Sequence, residues 1–209
     1  IGRAARGGIA CATHAIGDRA NRQVLDILER VGAGPSGGLR QRMEHVQLLH
    51  PDDLPRLARL GVVASMQPIH ATSDRYMADR LWGDRCRYAY AWRSLLDSGA
   101  VLAFGSDCPV EGLEPLQGIY AAVARKRAAE SESQPWYPEQ RVTVQEAVRA
   151  FTWGAAYACG QEKKVGSITP GKLADLVVLS QDIFAIPPES ILDAQVDYTI
   201  VGGEVVHQP

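Results

Sequence analysis

Val101-Leu102-Ala103-Phe104-Gly105-Ser106-Asp107, followed by Cys108-Pro109-Val110-Glu111, is the stretch on which the fold turns. A short apolar run with no polar side chain until its end predicts a strand buried on both faces. Gly105 stops the run, Ser106 and Asp107 place a hydroxyl and a carboxylate at its end, and Pro109 forbids further pairing. Parallel α/β architectures keep their chemistry at the carboxyl ends of strands, so Asp107 is the first candidate for a reactive group. Taken alone, an aspartate in that position is also simply a turn residue.

Upstream, a strand with a polar residue at its end and a helix behind it recurs. Ile9 to Thr13 predicts a buried strand ending at His14. Gly17-Asp18 reads as turn and N-cap of a helix with Ala20, Val24, Ile27 or Leu28, and Val31 on its apolar stripe. Gly32 and Gly34 end that helix, and 34–38 is a loop. Leu39 to Val46 is the next strand, with Glu44-His45 near its end, and Pro51-Asp52-Asp53 opens a short helix that Gly61 closes. Val62 to Met66 is the third strand, followed by Gln67-Pro68-Ile69-His70. A longer excursion rich in Arg, Asp, Tyr and Trp then runs into a helix through Leu95-Leu96 to Gly99.

Downstream of the central strand, Pro115 begins a helix with Leu116, Ile119, Tyr120 and Val123 on one face. Residues 129–142 are polar and end in a Pro-Trp-Tyr-Pro loop. Thr143-Val144-Gln145-Glu146 is a capping-box pattern opening an Ala-rich helical pair, Ala147 to Ala158, broken at Gly154. From Gly166 the pattern changes. Ala174 to Leu179 predicts a strand, and Val196 to Val201 and Glu204 to Val206 flank Gly202-Gly203, a two-residue hairpin signal.

The strand-end residues are spaced by 31, 25 and 37 residues, each fitting one βα repeat of roughly 25 to 40. Four such units cannot close an eight-stranded barrel. The expected architecture is α/β, half of a TIM-type (β/α)8 barrel over 1–164, then a small antiparallel β segment over 165–209, which the family resemblance given below implies is part of a β-sandwich domain. Half a barrel leaves an unsatisfied edge on each side, which calls for a missing first half or a second chain. The chain opens on Ile1, without a methionine, and reads as cut at its start.

Composition narrows the function. A net charge of −2 gives no reason to expect nucleic acid or an acidic membrane surface. No apolar run approaches the ~20 residues of a membrane helix, and no signal peptide is evident. Cys11, Cys86, Cys108 and Cys159 are scattered and form no C-x-x-C pair, which fits free thiols in a cytoplasmic protein better than a disulfide framework.

His14, His45, His70 and Asp107 occupy the ends of successive strands, which face a common mouth. Imidazole and carboxylate are the ligands that zinc prefers. Of the other histidines, His50 precedes Pro51 in a loop and His207 lies in the tail, and neither has that placement. Arg42 and Glu44 share a strand face opposite to His45 and are expected to form a buried ion pair. The aromatic residues from Tyr76 to Trp92 either line an apolar substrate pocket or pack the long loop. Lys126, with Arg125 and Arg127, reads as a solvated helix end.

The segments His14-Ala15-Ile16-Gly17-Asp18, Arg42-Met43-Glu44-His45, 64–70 and Gly105-Ser106-Asp107 resemble the metal-dependent amidohydrolase superfamily. The resemblance is to the branch that includes N-substituted formamide deformylases, and residues 166–177 are similar to that family's return into its small β-sandwich domain. It implies that His14 and His45 match the metal-binding histidines of barrel strands five and six. Asp107 matches the strand-eight aspartate that touches metal and shuttles a proton, and His70 matches a strand-seven position that contacts substrate. It further implies one or two divalent ions, zinc foremost, and a small-molecule substrate with an amide-type C–N bond outside peptides. The family's H-x-H pair occurs nowhere in this sequence, which places the other half of the barrel upstream. A catalytically silent metal-binding or interaction module is the alternative.

Overall fold

The computed structural model describes residues 1–32, 38–130 and 133–209. Most of the loop expected at 34–38, and part of the polar stretch at 129–142, lie outside the described residues. A short helix, α1 (Gly2–Arg6), comes first. The strands β1 (Ala12–Ala15), β2 (Arg42–His45), β3 (Val63–Met66) and β4 (Leu102–Phe104) then form one parallel sheet in sequence order. They alternate with α2 (Asp18–Arg30), α3 (Leu54–Leu60), α4 (Pro68–Trp82), α5 (Trp92–Asp97) and α6 (Pro115–Ala124). Parallel neighbours need a crossover, and the helices supply it.

The register sets two faces. Ala15, Met43, Ala64, Met66 and Phe104 are buried in one core with Leu25, Leu28, Leu57 and Trp92 of the helices. On the other face Ala12 and His14 are exposed and Arg42 and Glu44 half-buried, while Val63 and Ala103 pack on Ala158. The buried strand expected over Ile9 to Thr13 is therefore corrected. Pairing begins at Ala12, Ile9 is 62% exposed, and β1 is an edge strand. The Arg42–Glu44 pair forms at 2.6 Å, but on this open face it is not buried.

Three helical readings change. In α2 the buried stripe is Asn21, Val24, Leu25 and Leu28, leaving Ala20 and Val31 exposed, and Gly17 rather than Asp18 is the N-cap. Asn21 earns its buried place by donating to the carbonyls of Ile16, Gly17 and Leu48. Much of the excursion after β3 is the fifteen-residue helix α4. Its polar residues form no clean apolar stripe, so periodicity does not reveal it. Tyr90 and Trp92, beyond it, are fully buried against Trp136 and Phe104, so these two rings pack the core.

The third change concerns Gly154. The segment α7 (Val144–Arg149), a π-helical turn (Ala150–Gly154) and α8 (Ala155–Ala158) is continuous, so Gly154 does not break it. A β-carbon at Gly154 would run into the Leu102 carbonyl oxygen, so glycine lets this helix lie directly on β4. The capping box at its start is present: Thr143 accepts from the Glu146 amide at 3.2 Å, and Glu146 accepts from the Thr143 amide at 2.7 Å. Thr143→Ala is predicted to cost about 1 kcal/mol, read by urea unfolding, and an unchanged midpoint would remove the cap from the account.

The end of the chain forms an antiparallel sheet of β5 (Leu176–Leu179), β6 (Val196–Val201) and β7 (Glu204–His207). Gly202 and Gly203 adopt φ of +59° and +90°, the left-handed backbone that a two-residue hairpin requires. No helix among the described residues is long and apolar enough to cross a membrane.

Candidate metal centre

Each strand delivers its residue differently. His14 projects from within β1 onto the open face. His45 ends β2, where alternation alone would send its side chain to the helix side with Met43. Its backbone breaks that alternation. His45 has φ of +74°, and the Val46 amide bonds back to the Glu44 carbonyl at 3.1 Å, the pattern of a strained, positive-φ γ-turn. Val46 is itself left-handed at φ +48°, which is rare for a β-branched residue. Backbone strain of this kind collects at functional sites. The turn brings the His45 ring to 4.5 Å from that of His14 and 6.0 Å from that of His70, centroid to centroid.

His70 is not at a strand end but in the first turn of α4, begun by Pro68, and it is buried. Asp107 lies three residues past β4 at φ +61°, a conformation aspartate tolerates better than most residues. Its main-chain carbonyl accepts from Val110 in a turn. Its carboxylate faces inward, 3.4 Å from His70 Nε2, so the side chain is not spent on the turn.

Ligand atoms of His45, His70 and Asp107 lie within 4.8 Å of one another. His14, expected among the metal ligands, is outside that trio but in edge contact with His45. His70, expected to face substrate, is inside it. Burial, then the neighbouring His14, pushes the His45 imidazole below its ordinary pKa, favouring the neutral form that binds metal. The donor set of imidazoles and one carboxylate fits a divalent ion such as zinc.

Two side chains escaped the sequence reading. Gln67, buried beside the end of β3, accepts the Nδ1–H of His45 at 3.0 Å. Glu111 faces Nδ1 of His70 at 3.2 Å. Their only sequence signal is position, one residue past β3 and four past Asp107. A hollow of about 460 Å³ lined by Cys11, Arg40, Arg42 and Cys159 sits at the opposite, amino end of the strands, away from this group.

The fold thus defines an α/β protein of the parallel-strand type, with its candidate site at the strands' carboxyl end. The chain belongs to the amidohydrolase family, whose sequence profile matches residues 1–207. It is 36% identical over 209 residues to a Bacillus subtilis protein named as an amidohydrolase, YtcJ, covering 100% of this chain and 39% of that protein. It is 31% identical over 203 residues to the N-substituted formamide deformylase of Arthrobacter pascens, covering 96% of this chain and 37% of that enzyme. Among solved structures, an uncharacterized metal-dependent hydrolase from Pyrococcus horikoshii superposes with a TM-score of 0.75 at 29% identity, covering 87% of this chain and 36% of that one. The chain therefore spans under two fifths of the length of these relatives. Its fold is the C-terminal half of a TIM-type barrel followed by strands of a small β-sandwich domain.

Proposed function

We propose that the protein containing this chain is a metal-dependent hydrolase that cleaves amide-type C–N bonds in non-peptide small molecules by attack of water. The observation that carries this reading is the convergence of three imidazoles and one carboxylate at the carboxyl end of a parallel sheet. His14, His45 and Asp107 would hold the metal, one or two ions and zinc foremost. The placement of His70 also suits it as a ligand. A divalent cation bound there supplies Lewis acidity, lowering the pKa of water toward ~7 and polarising a substrate carbonyl.

The chain's own groups do the rest. Asp107 accepts the proton of the attacking water on its carboxylate and returns it to the leaving nitrogen. His70 contacts the substrate, and its Nε2, when protonated, donates to the developing oxyanion. The remaining barrel strands come from an upstream half or a second chain that covers the open face and the β1 edge. We divide the chain at 164/165, supported by its two separate sheets, and assign it to the cytoplasm on its scattered cysteines.

Elemental analysis of the full-length protein, paired with assays on N-formyl amines and aryl amides, tests the proposal. The expected result is stoichiometric divalent metal together with turnover that a chelator removes. Metal without turnover would assign the silent binding module instead, and absence of both would overturn the reading.

A further inference from the structure

We propose that Glu111 is a positioning residue, whose carboxylate holds the Nδ1–H of His70 and thereby aims His70 Nε2 at Asp107. The proposal rests on the reading of His70 as a group of the active site. The His70 ring is bracketed by two carboxylates, Glu111 Oε1 at 3.2 Å from Nδ1 and Asp107 Oδ2 at 3.4 Å from Nε2. Both carboxylates come from the loop that follows β4, whereas His70 belongs to α4, so the contact joins segments 41 residues apart in sequence.

Chemistry gives each nitrogen a distinct task. An ionised carboxylate only accepts hydrogen bonds, and both nitrogens of His70 face one, so the single proton of the neutral ring goes to the shorter and better shielded contact, Glu111 at 3.2 Å and 20% exposed against Asp107 at 3.4 Å and 39% exposed. With Nδ1–H committed to Glu111, Nε2 is the nitrogen left to face Asp107 and the substrate. An imidazole oriented by a third group is part of the general logic of catalytic triads. The side chain of His70 is only 8% exposed and that of Glu111 20%, so water competes weakly for this hydrogen bond.

The same arrangement occurs next door, which argues against coincidence. The Nδ1–H of His45 is held by Gln67 Oε1 at 3.0 Å. Both inner imidazoles are thus anchored through Nδ1, each by an acceptor from another segment. Acceptors of this kind fix the tautomer and ring orientation of histidines at metal and catalytic sites.

The test is nitrogen-15 NMR of the histidine side chains in the full-length protein, at a pH where His70 is neutral. Wild-type protein is expected to show His70 with the proton on Nδ1. Glu111→Gln, which keeps an acceptor oxygen, is expected to retain that tautomer, and Glu111→Ala to redistribute it toward Nε2–H. In parallel, Glu111→Ala is expected to lower kcat about 10- to 100-fold with little change in KM, and Glu111→Gln to recover most of it. An Nε2–H tautomer in the wild-type protein overturns the proposal even if the alanine variant fails to fold. An unchanged tautomer in Glu111→Ala overturns it as well. Metal content and turnover of the wild-type samples report separately on the hydrolase reading, so a fixed Nδ1–H tautomer in a metal-free, inactive protein would sink that reading and leave the Glu111 contact standing.

Discussion

Asp107→Asn in the full-length protein is expected to lower kcat by about 10²- to 10⁴-fold while leaving the fold intact. The backbone argues for the second half of that statement. Asp107 sits at φ +61°, in the left-handed region that asparagine tolerates as well as aspartate. The turn it forms uses its main-chain carbonyl and the Val110 amide, which the substitution does not touch. What the substitution removes is the capacity to take up a proton 3.4 Å from His70 and the negative charge that a divalent ion would require. Steady-state kinetics on N-formyl and aryl-amide substrates, set beside thermal unfolding, separate the two effects. Activity within tenfold of wild type would end the assignment of Asp107 as proton shuttle.

The second large effect is on stability. The sequence places Arg125 at a solvated helix end, yet it is 1% exposed. Its guanidinium donates to the carbonyls of Trp136 at 2.5 Å, Tyr90 at 2.9 Å and Ala89 at 3.4 Å. It also lies over the rings of Trp92 at 4.6 Å and Trp136 at 5.2 Å. Burial pushes its pKa down to about 9, so it remains charged at neutral pH. Arg125→Ala would leave three carbonyls without this donor and open a cavity between the indoles, an expected loss of about 3–5 kcal/mol. Arg125→Lys should restore only part of it, because an ammonium cannot serve the same fork of acceptors. Urea unfolding reads the difference, and a loss below about 1 kcal/mol would show that the rings close over the gap. The effect bears on the site, since Arg125 ends α6, the helix behind the loop that carries Asp107 and Glu111.

Elements whose character depends on near neighbours were legible from the sequence. β4 is buried throughout, as its unbroken apolar run requires. The Thr143–Glu146 capping box and the Gly202-Gly203 hairpin follow from local hydrogen-bonding and conformational preferences. The misread elements depend on what lies across space. Nothing near Ile9 in sequence says that its strand is an edge, Asn21 outranks Ala20 only because three carbonyls await it, and Arg125 is buried because two indoles enclose it.

The candidate site divides in the same way. The order of the βα units, and the residue types His14, His45, His70 and Asp107 that each brings toward one end of the sheet, are legible along the chain. Those follow from periodicity and from where apolar runs stop. How the side chains meet is set by contacts across space. A γ-turn at His45 turns its ring toward His14, the first turn of α4 rather than a strand end carries His70, and Gln67 and Glu111 anchor the two inner imidazoles. Alternation along a strand stops at its last residue, and a hydrogen bond between residues 41 positions apart leaves no periodic trace in the chain.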